Sequence, residues 1–218
     1  MRFNRPEGQL QGFPGGFSAY PAGGLAAFPA PSVIDTFTGT NGDPLPTYSA
    51  NWTNVLGPGG LTIQSNQCAS TGTGSDYWNA ATFGPDLDIA ISVPTVPAGS
   101  DEDIILIFRL TNPGTWNTDG DGYAVNYYTA DVGIYALRVD DGVFSVIGDI
   151  YSQALSNGDS FGGRMVGDTI DVYYKAGAGA WSHVDTETDS TYTAAGSMAI
   201  YSSSDANTRL DNLICGTI

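Results

Sequence analysis

From Asp35 onward the chain alternates apolar and polar residues with a period of two. "DLDIAISV" (86–93) sets Leu87, Ile89 and Ile91 on one side and its Asp and Ser residues on the other. "LTIQSNQCAS" (61–70) alternates in the same way, and "DIILIFRL" (103–110) is an almost continuous apolar run ending in Arg109 and Leu110. Seven further segments follow: "YAVNYYTA", "GIYALRVD", "GVFSVIGD", "DTIDVYYKA", "AWSHVDTET", "GSMAIYSS" and "TRLDNLICG". Gly, Asn or Asp punctuates nearly every gap. A two-residue period suits strands whose side chains point to opposite faces, and many short strands with turn signals suit an all-β sandwich or barrel. No window is long enough and free enough of breakers to carry a 3.6-residue period. The expected class is all-β, an antiparallel β-sandwich over 33–218 preceded by an extended N-terminal arm over 1–32.

The arm differs in kind. "GFPGGFSAYPAGGLAAFPAP" repeats an aromatic, a proline, a glycine pair and an apolar residue, and its third copy stops short. No charge falls between Glu7 and Ile34. Proline and glycine at this density oppose helix and ladder strand alike. Two readings compete: a disordered tail, which composition favours, and an anchoring arm. Disordered tails avoid aromatics, whereas this one carries Phe13, Phe17, Tyr20 and Phe28, knobs for the pockets of a partner or of the chain's own body.

Length and charge narrow the function classes. The chain has 218 residues, room for one large β domain or two small ones, and is 41% hydrophobic, so a real core can be buried. Its net charge is -16, which excludes nucleic acid as a partner because phosphate binding needs a basic footprint. An acidic surface suits solubility or cation binding. No apolar run approaches a membrane span. Arg2 and Arg5 resemble the start of a signal peptide, but Pro6, Gly8, Gly12 and Pro14 break the apolar region it needs.

Parity singles out one candidate ligand face. If Leu106, Phe108 and Leu110 point inward, Arg109 points out, and the same rule exposes Asn126, Tyr128, Arg138, Tyr173 and Lys175. Only five Lys or Arg lie in the body and three fall in this set. Aromatic platforms beside guanidinium groups suit a sugar, an acidic neighbour, or plain cross-strand pairing on a solvated sheet.

Catalytic and metal signals are weaker. "DTETD" sets Asp185, Glu187 and Asp189 on one strand face, which a solvated acidic surface explains without chemistry. His183 is the single histidine, and no nucleophile elbow accompanies it. "NTDGDG" (117–122) starts like a calcium loop, with Asp119 and Asp121 as candidate ligands, but Tyr128 stands where the bidentate Glu belongs. Asp-Gly is equally the chemistry of a hairpin turn, the preferred reading. The Asn51-Trp52-Thr53 sequon matters only in a secreted eukaryotic chain. Trp78, Trp116 and Trp181 fall in or beside turn segments, where they pack a rim as readily as they stack on a sugar.

Several of these strings together resemble the concanavalin A-like lectin/glucanase jelly roll in its laminin-G-like branch. They are Asp35 to Phe37, Trp52, Phe108-Arg109, Gly167 to Val172, Thr188 to Ser190, Gly196 to Tyr201 and Asp211-Asn212. The resemblance covers about residues 33 to 218 and omits the arm. The glucanases of that superfamily carry a Glu-x-Asp-x-Glu strand, which this chain lacks, so the resemblance implies a non-enzyme. Laminin-G-like domains often carry one calcium ion, which keeps Asp119 and Asp121 in view. In such domains the first and last strands run side by side, which implies that Cys68 and Cys215 are neighbours, as a disulfide or as two buried thiols. Such folds occur in carbohydrate-active enzymes, adhesion modules and phage virion proteins.

The expectation is a non-enzymatic virion surface protein, decorating a capsid or associated with a tail. Its arm would hold the capsid shell, and its jelly roll would be displayed toward a host-surface glycan, with homo-oligomerisation left open. The alternatives are an extracellular carbohydrate-binding module of a cell surface and a glycoside hydrolase.

Overall fold

The computed structural model describes residues 27–57, 60–70, 72–203 and 207–218. They form a sandwich of two antiparallel sheets. The first runs in the order β13 (Ser182–Thr188), β12 (Thr169–Lys175), β11 (Asp159–Val166), β6 (Leu87–Thr95), β15 (Arg209–Thr217), β4 (Cys68–Ala69) and β3 (Thr62–Ile63), with β1 (Val33–Asp35) also beside β15. The second runs β10 (Val143–Ser152), β9 (Gly133–Asp140), β8 (Gly122–Tyr128), β7 (Asp103–Leu110), β14 (Gly196–Ser202), β5 (Gly74–Phe83) and β2 (Trp52–Leu56). The expected all-β sandwich is therefore what the chain forms. No helix among the described residues is long and apolar enough to cross a membrane.

The core between the sheets follows the two-residue period. Leu87, Ile89, Ile91, Phe161, Met165, Ile170 and Val172 come from the first sheet, and Ile104, Leu106, Phe108, Val125, Ile134, Ala136, Met198 and Ile200 from the second. A second buried cluster lies on the opposite parity of the second sheet: Ile105, Ile107, Leu137, Val139, Ala199 and Tyr201, joined by Trp116 and Phe144. That sheet is apolar on both faces at its centre, which is why "DIILIFRL" reads as a run instead of an alternation.

The Asp-x-Phe opening and the later Trp have a physical link. Asp35 Oδ1 accepts the Phe37 N–H at 2.7 Å and the Tyr48 hydroxyl at 2.9 Å, and Oδ2 accepts the Trp52 indole N–H at 2.8 Å. The Phe37 and Trp52 rings lie 6.0 Å apart. One buried carboxylate thus satisfies three donors and ties the first strand to β2 across the sandwich.

Four features depart from expectation. Two helical turns interrupt the strands, α1 (Leu45–Tyr48) and α2 (Trp116–Asp119). The second covers 117–119, so the antiparallel pair β7 and β8 is joined through a helical turn instead of a two-residue Asp-Gly turn. The strands β5 and β11 lie in segments that show no clean alternation. In β11, Gly162 and Gly163 hide the pattern, and Gly162 is needed because a Cβ there would stand 2.3 Å from the Ile89 carbonyl oxygen. Finally, β1 does lie beside β15, yet the cysteines are apart. Cys68 faces Leu210 and Cys215 faces Ile89, five residues further along β15, roughly 17 Å at strand rise. Both are free, buried thiols.

Candidate functional site

The six residues expected on one exposed face occupy three separate places. Arg109 is the clearest correction. Between Ser197↔Leu110 and Ala199↔Ile107 two residues of β7 oppose one of β14, a bulge, and Arg109 sits in it with φ 49. Gly196 permits this, since a Cβ there would come within 2.4 Å of the Arg109 carbonyl carbon. The bulge breaks the parity: Leu110 joins the outer cluster, and the Arg109 side chain crosses to the other sheet. Its guanidinium is buried and donates to the carbonyls of Pro85 (2.6 Å), Tyr192 (2.8 Å) and Gly167 (2.8 Å). It is a cross-link, with Asp86 3.7 Å away.

Asn126 and Tyr128 do share the outer side of the second sheet, but both are buried. The Asn126 amide donates to Asp103 (2.9 Å) and to the Tyr135 hydroxyl (3.1 Å), and the Tyr128 hydroxyl bonds Asp101. Tyr173 and Lys175 lie on the outer face of the first sheet. Phe28, of the arm's third aromatic–proline pair, covers this spot: its ring is stacked on Tyr173 at 3.9 Å and 6°, with Trp181 edge-on at 5.0 Å. Lys175 Nζ stands 5.7 Å from the Trp181 ring centroid. Phe13, Phe17 and Tyr20 lie outside the described residues.

Arg138 belongs to the third place, the loop end of the sandwich. It leaves β9 on the inward parity and reaches the turn after β13. Its Nε donates to Asp140 (2.7 Å) and its Nη1 to Asp189 (2.9 Å). Asp189 also accepts the Tyr123 hydroxyl and the Thr191 N–H, both at 2.8 Å. Tyr192 closes the ring, donating its hydroxyl to Asp140 at 2.5 Å and to Asp121 at 3.2 Å. Burial alone would raise the Asp189 pKa, but the hydrogen bonds from Thr191, Tyr123 and Arg138 outweigh it and bring it down to about 2. Hydrogen bonds to Asp140 and Asp189 push the Arg138 pKa up, so both groups stay charged.

Beside this network opens a depression of ≈ 310 Å³ lined by Asp168, Thr188, Asp189, Ser190 and Thr191. The Arg138 side chain is 36% exposed and that of Asp189 11%. The lining therefore combines a fixed carboxylate with hydroxyls, at a solvent-accessible rim whose geometry is set from beneath. Sequence reading missed the depression. Its one signal is the density of Asp, Ser and Thr in the connection 188–191.

The remaining candidates do not converge. Asp185 and Glu187 sit on β13, where burial raises both carboxyls, and Glu187 accepts the Asp149 N–H. Asp189 lies past the strand end and faces Arg138, so the three do not share one strand face. His183 bonds Asp171, which raises its pKa. Asp119 is exposed, while Asp121 Oδ1 accepts the Asp141 N–H and the Tyr192 hydroxyl. Among the described residues no three His, Cys, Asp or Glu side chains come together to hold a metal ion. Trp116 is buried in the outer cluster and is not a rim residue.

No family model and no curated protein matches the chain. Solved structures do. The carbohydrate-binding module CBM66 from Bacillus subtilis superposes with a TM-score of 0.59 at 19% identity, covering 76% of this chain and 95% of that one. The potassium-bound carbohydrate recognition domain of Emp46p gives 0.57 at 9%, covering 86% and 97%. The exoplasmic/lumenal domain of VIP36, bound to Ca2+ and Man2, gives 0.57 at 12%, covering 86% and 87%. The fold is the concanavalin A-like lectin jelly roll.

Proposed function

We propose that this protein is a non-enzymatic glycan-binding display module and that the rim depression beside Asp189 is its glycan site. The observation that carries the reading is the pre-set state of Asp189. Its carboxylate is held ionised and oriented by three donors before any ligand arrives, with the exposed residues Thr188 and Ser190 alongside. Sugar hydroxyls both donate and accept, and a rigid carboxylate paired with an adjacent guanidinium suits two neighbouring hydroxyls. The carbohydrate-binding names of the superposing structures agree with it.

The finer reading is a virion surface protein, decorating a capsid or tail. It rests on the sequence: an aromatic–proline arm, without charge from residue 8 onward, precedes an extracellular type of domain, an arrangement suited to a protein assembled inside a cell and acting outside it.

The test is a glycan array probed with the full chain, beside the double variant Asp168→Asn/Ser190→Ala. Both residues are exposed. The expected result is binding by the native chain and at least a tenfold loss in the variant with unchanged melting temperature. No glycan bound, or equal binding by the variant, overturns the site. VIP36 and Emp46p were solved with Ca2+ and K+, so an EDTA wash belongs in the same assay. Binding is expected to survive it. Separately, the chain is expected to co-sediment with assembled particles; a chain absent from them overturns the virion reading and leaves the glycan reading standing.

A further inference from the structure

The outer face of the first sheet carries a site that glycan binding at the rim does not use. The root of the arm runs across this face. Pro31 lies against Gly216 of β15, where an added Cβ would meet it at 2.7 Å. The Ala30 N–H donates to Asp88 Oδ2 on β6 at 2.7 Å. Phe28 then reaches β12 and stacks on Tyr173. From β1, beside β15, that is four strand spacings, about 19 Å. The five Cα–Cα steps from Phe28 to Val33 span at most about 17 Å, so the root is nearly taut and the Phe28 ring covers the remaining distance.

The slot itself is built by register. Gly162 of β11 lies between Tyr173 and Ala90, so no bulky side chain stands beside the Tyr173 ring on that side. Trp181 forms the wall on the other. The Arg164 guanidinium, fixed by two bonds to Asp88 at 2.6 and 2.8 Å, stands 5.7 Å from the Phe28 centroid. Tyr173 and Trp181 thus bracket one flat ring, and the ring seated there is followed by a proline.

That key is not unique in the chain. Phe13-Pro14 and Tyr20-Pro21 repeat the Phe28-Pro29 pair, each followed within one residue by two glycines. One slot faces three keys of like chemistry. We infer that the Tyr173–Trp181 slot is a receptor for aromatic–proline segments and that the distal keys of one arm dock in the slot of a second copy of this chain. A key on one end of a molecule and a lock on another face make a heterologous contact, which links copies into rings or rows. Phe28, tethered close by, holds its own slot at an effective concentration on the order of millimolar. Linkage is therefore suppressed in dilute solution and favoured where copies are crowded on a surface. This inference is independent of the glycan and virion readings.

A complementation experiment tests it. One full-length variant has no keys (Phe13→Ala, Tyr20→Ala, Phe28→Ala) and an intact slot. The other has intact keys and no slot (Tyr173→Ala, Trp181→Ala). Each is expected to sediment as a monomer alone, and the mixture to form a complex. A synthetic peptide of residues 12–24 is expected to bind the keyless variant, and to lose at least tenfold in affinity when its three aromatics are Ala. The peptide arm also serves if the slotless variant does not fold. If the keyless variant does not fold, the Trp181 indole N–H resonance of the native chain is followed as the peptide is raised to millimolar, and a saturable shift is expected. No association in the mixture and no peptide effect overturn the inference, as does equal binding by the all-Ala peptide.

Discussion

Replacing Arg109 by Met separates a structural arginine from a ligand-binding one. The substitution keeps an unbranched apolar stem and removes the guanidinium with its donors, leaving the carbonyls of Pro85, Gly167 and Tyr192 without theirs. An orphaned carbonyl costs about 1–3 kcal/mol where water cannot reach it, so three set an upper range of about 3–9. Pro85 and Gly167 are exposed, so water can reach their oxygens, which favours the lower half of that range. Removing the guanidinium also relieves its own desolvation, the cause of its lowered pKa. The net loss expected is about 3–5 kcal/mol, near what breaking a buried charged group from its partners costs. In urea, with a slope of about 2 kcal/mol per M, the midpoint should fall by about 1.5–2.5 M at unchanged slope. Arg109→Lys should recover only part, because a point-like ammonium cannot span carbonyls from three segments. A Met variant within about 0.5 kcal/mol of native would refute the cross-link, since surface substitutions behave that way.

Two further outcomes follow from buried groups. Asp76 is fully buried, its Oδ1 has no hydrogen-bond partner within range among the described residues, and burial raises its pKa to about 7 despite the Leu61 N–H at 2.6 Å and the nearby Asn54 amide, which both lower it. The folded form holds this proton more tightly than the unfolded chain, so stability is full below about pH 4 and falls as pH rises through about 7. Urea midpoints measured from pH 4 to 8 should decline, by at most about 4 kcal/mol for a shift of some three units, and Asp76→Asn should flatten the profile; a native profile that is already flat contradicts it. Cys68 and Cys215 are buried thiols whose pKa values burial raises, so neither should react with a thiol reagent in native buffer and both should react in denaturant. Recovery of a Cys68–Cys215 disulfide from native protein would contradict their separate placement on β4 and β15.

Strand identity was legible in the sequence wherever one face meets the core, as in 86–93 and 133–140, because the two-residue period is a property of the local backbone. Where glycines replace side chains, as in β11, the period vanishes and only pairing shows the strand. The inward side of each strand was less legible. Leu137 and Val139 alternate with Arg138 as expected, yet here the apolar pair faces out into a second cluster and the arginine faces in, because this sheet is buried on both sides. Of the candidate site, the sequence showed the arginines and the hydroxyl-rich 188–191 turn, and not that Arg138 and that turn meet.

Composition and periodicity by themselves determined an acidic all-β sandwich with a chemically distinct arm, since both depend on residues taken singly or next to one another. Tertiary structure alone decided the rest. A one-residue bulge at Arg109 turned a predicted surface guanidinium into a buried cross-link between segments 24, 58 and 83 residues away in the chain. Long-range register placed Gly162 beside Tyr173 and so made the slot that Phe28 fills. Contacts at such separations are set by how strands pair, and local pattern carries no record of which strand lies opposite.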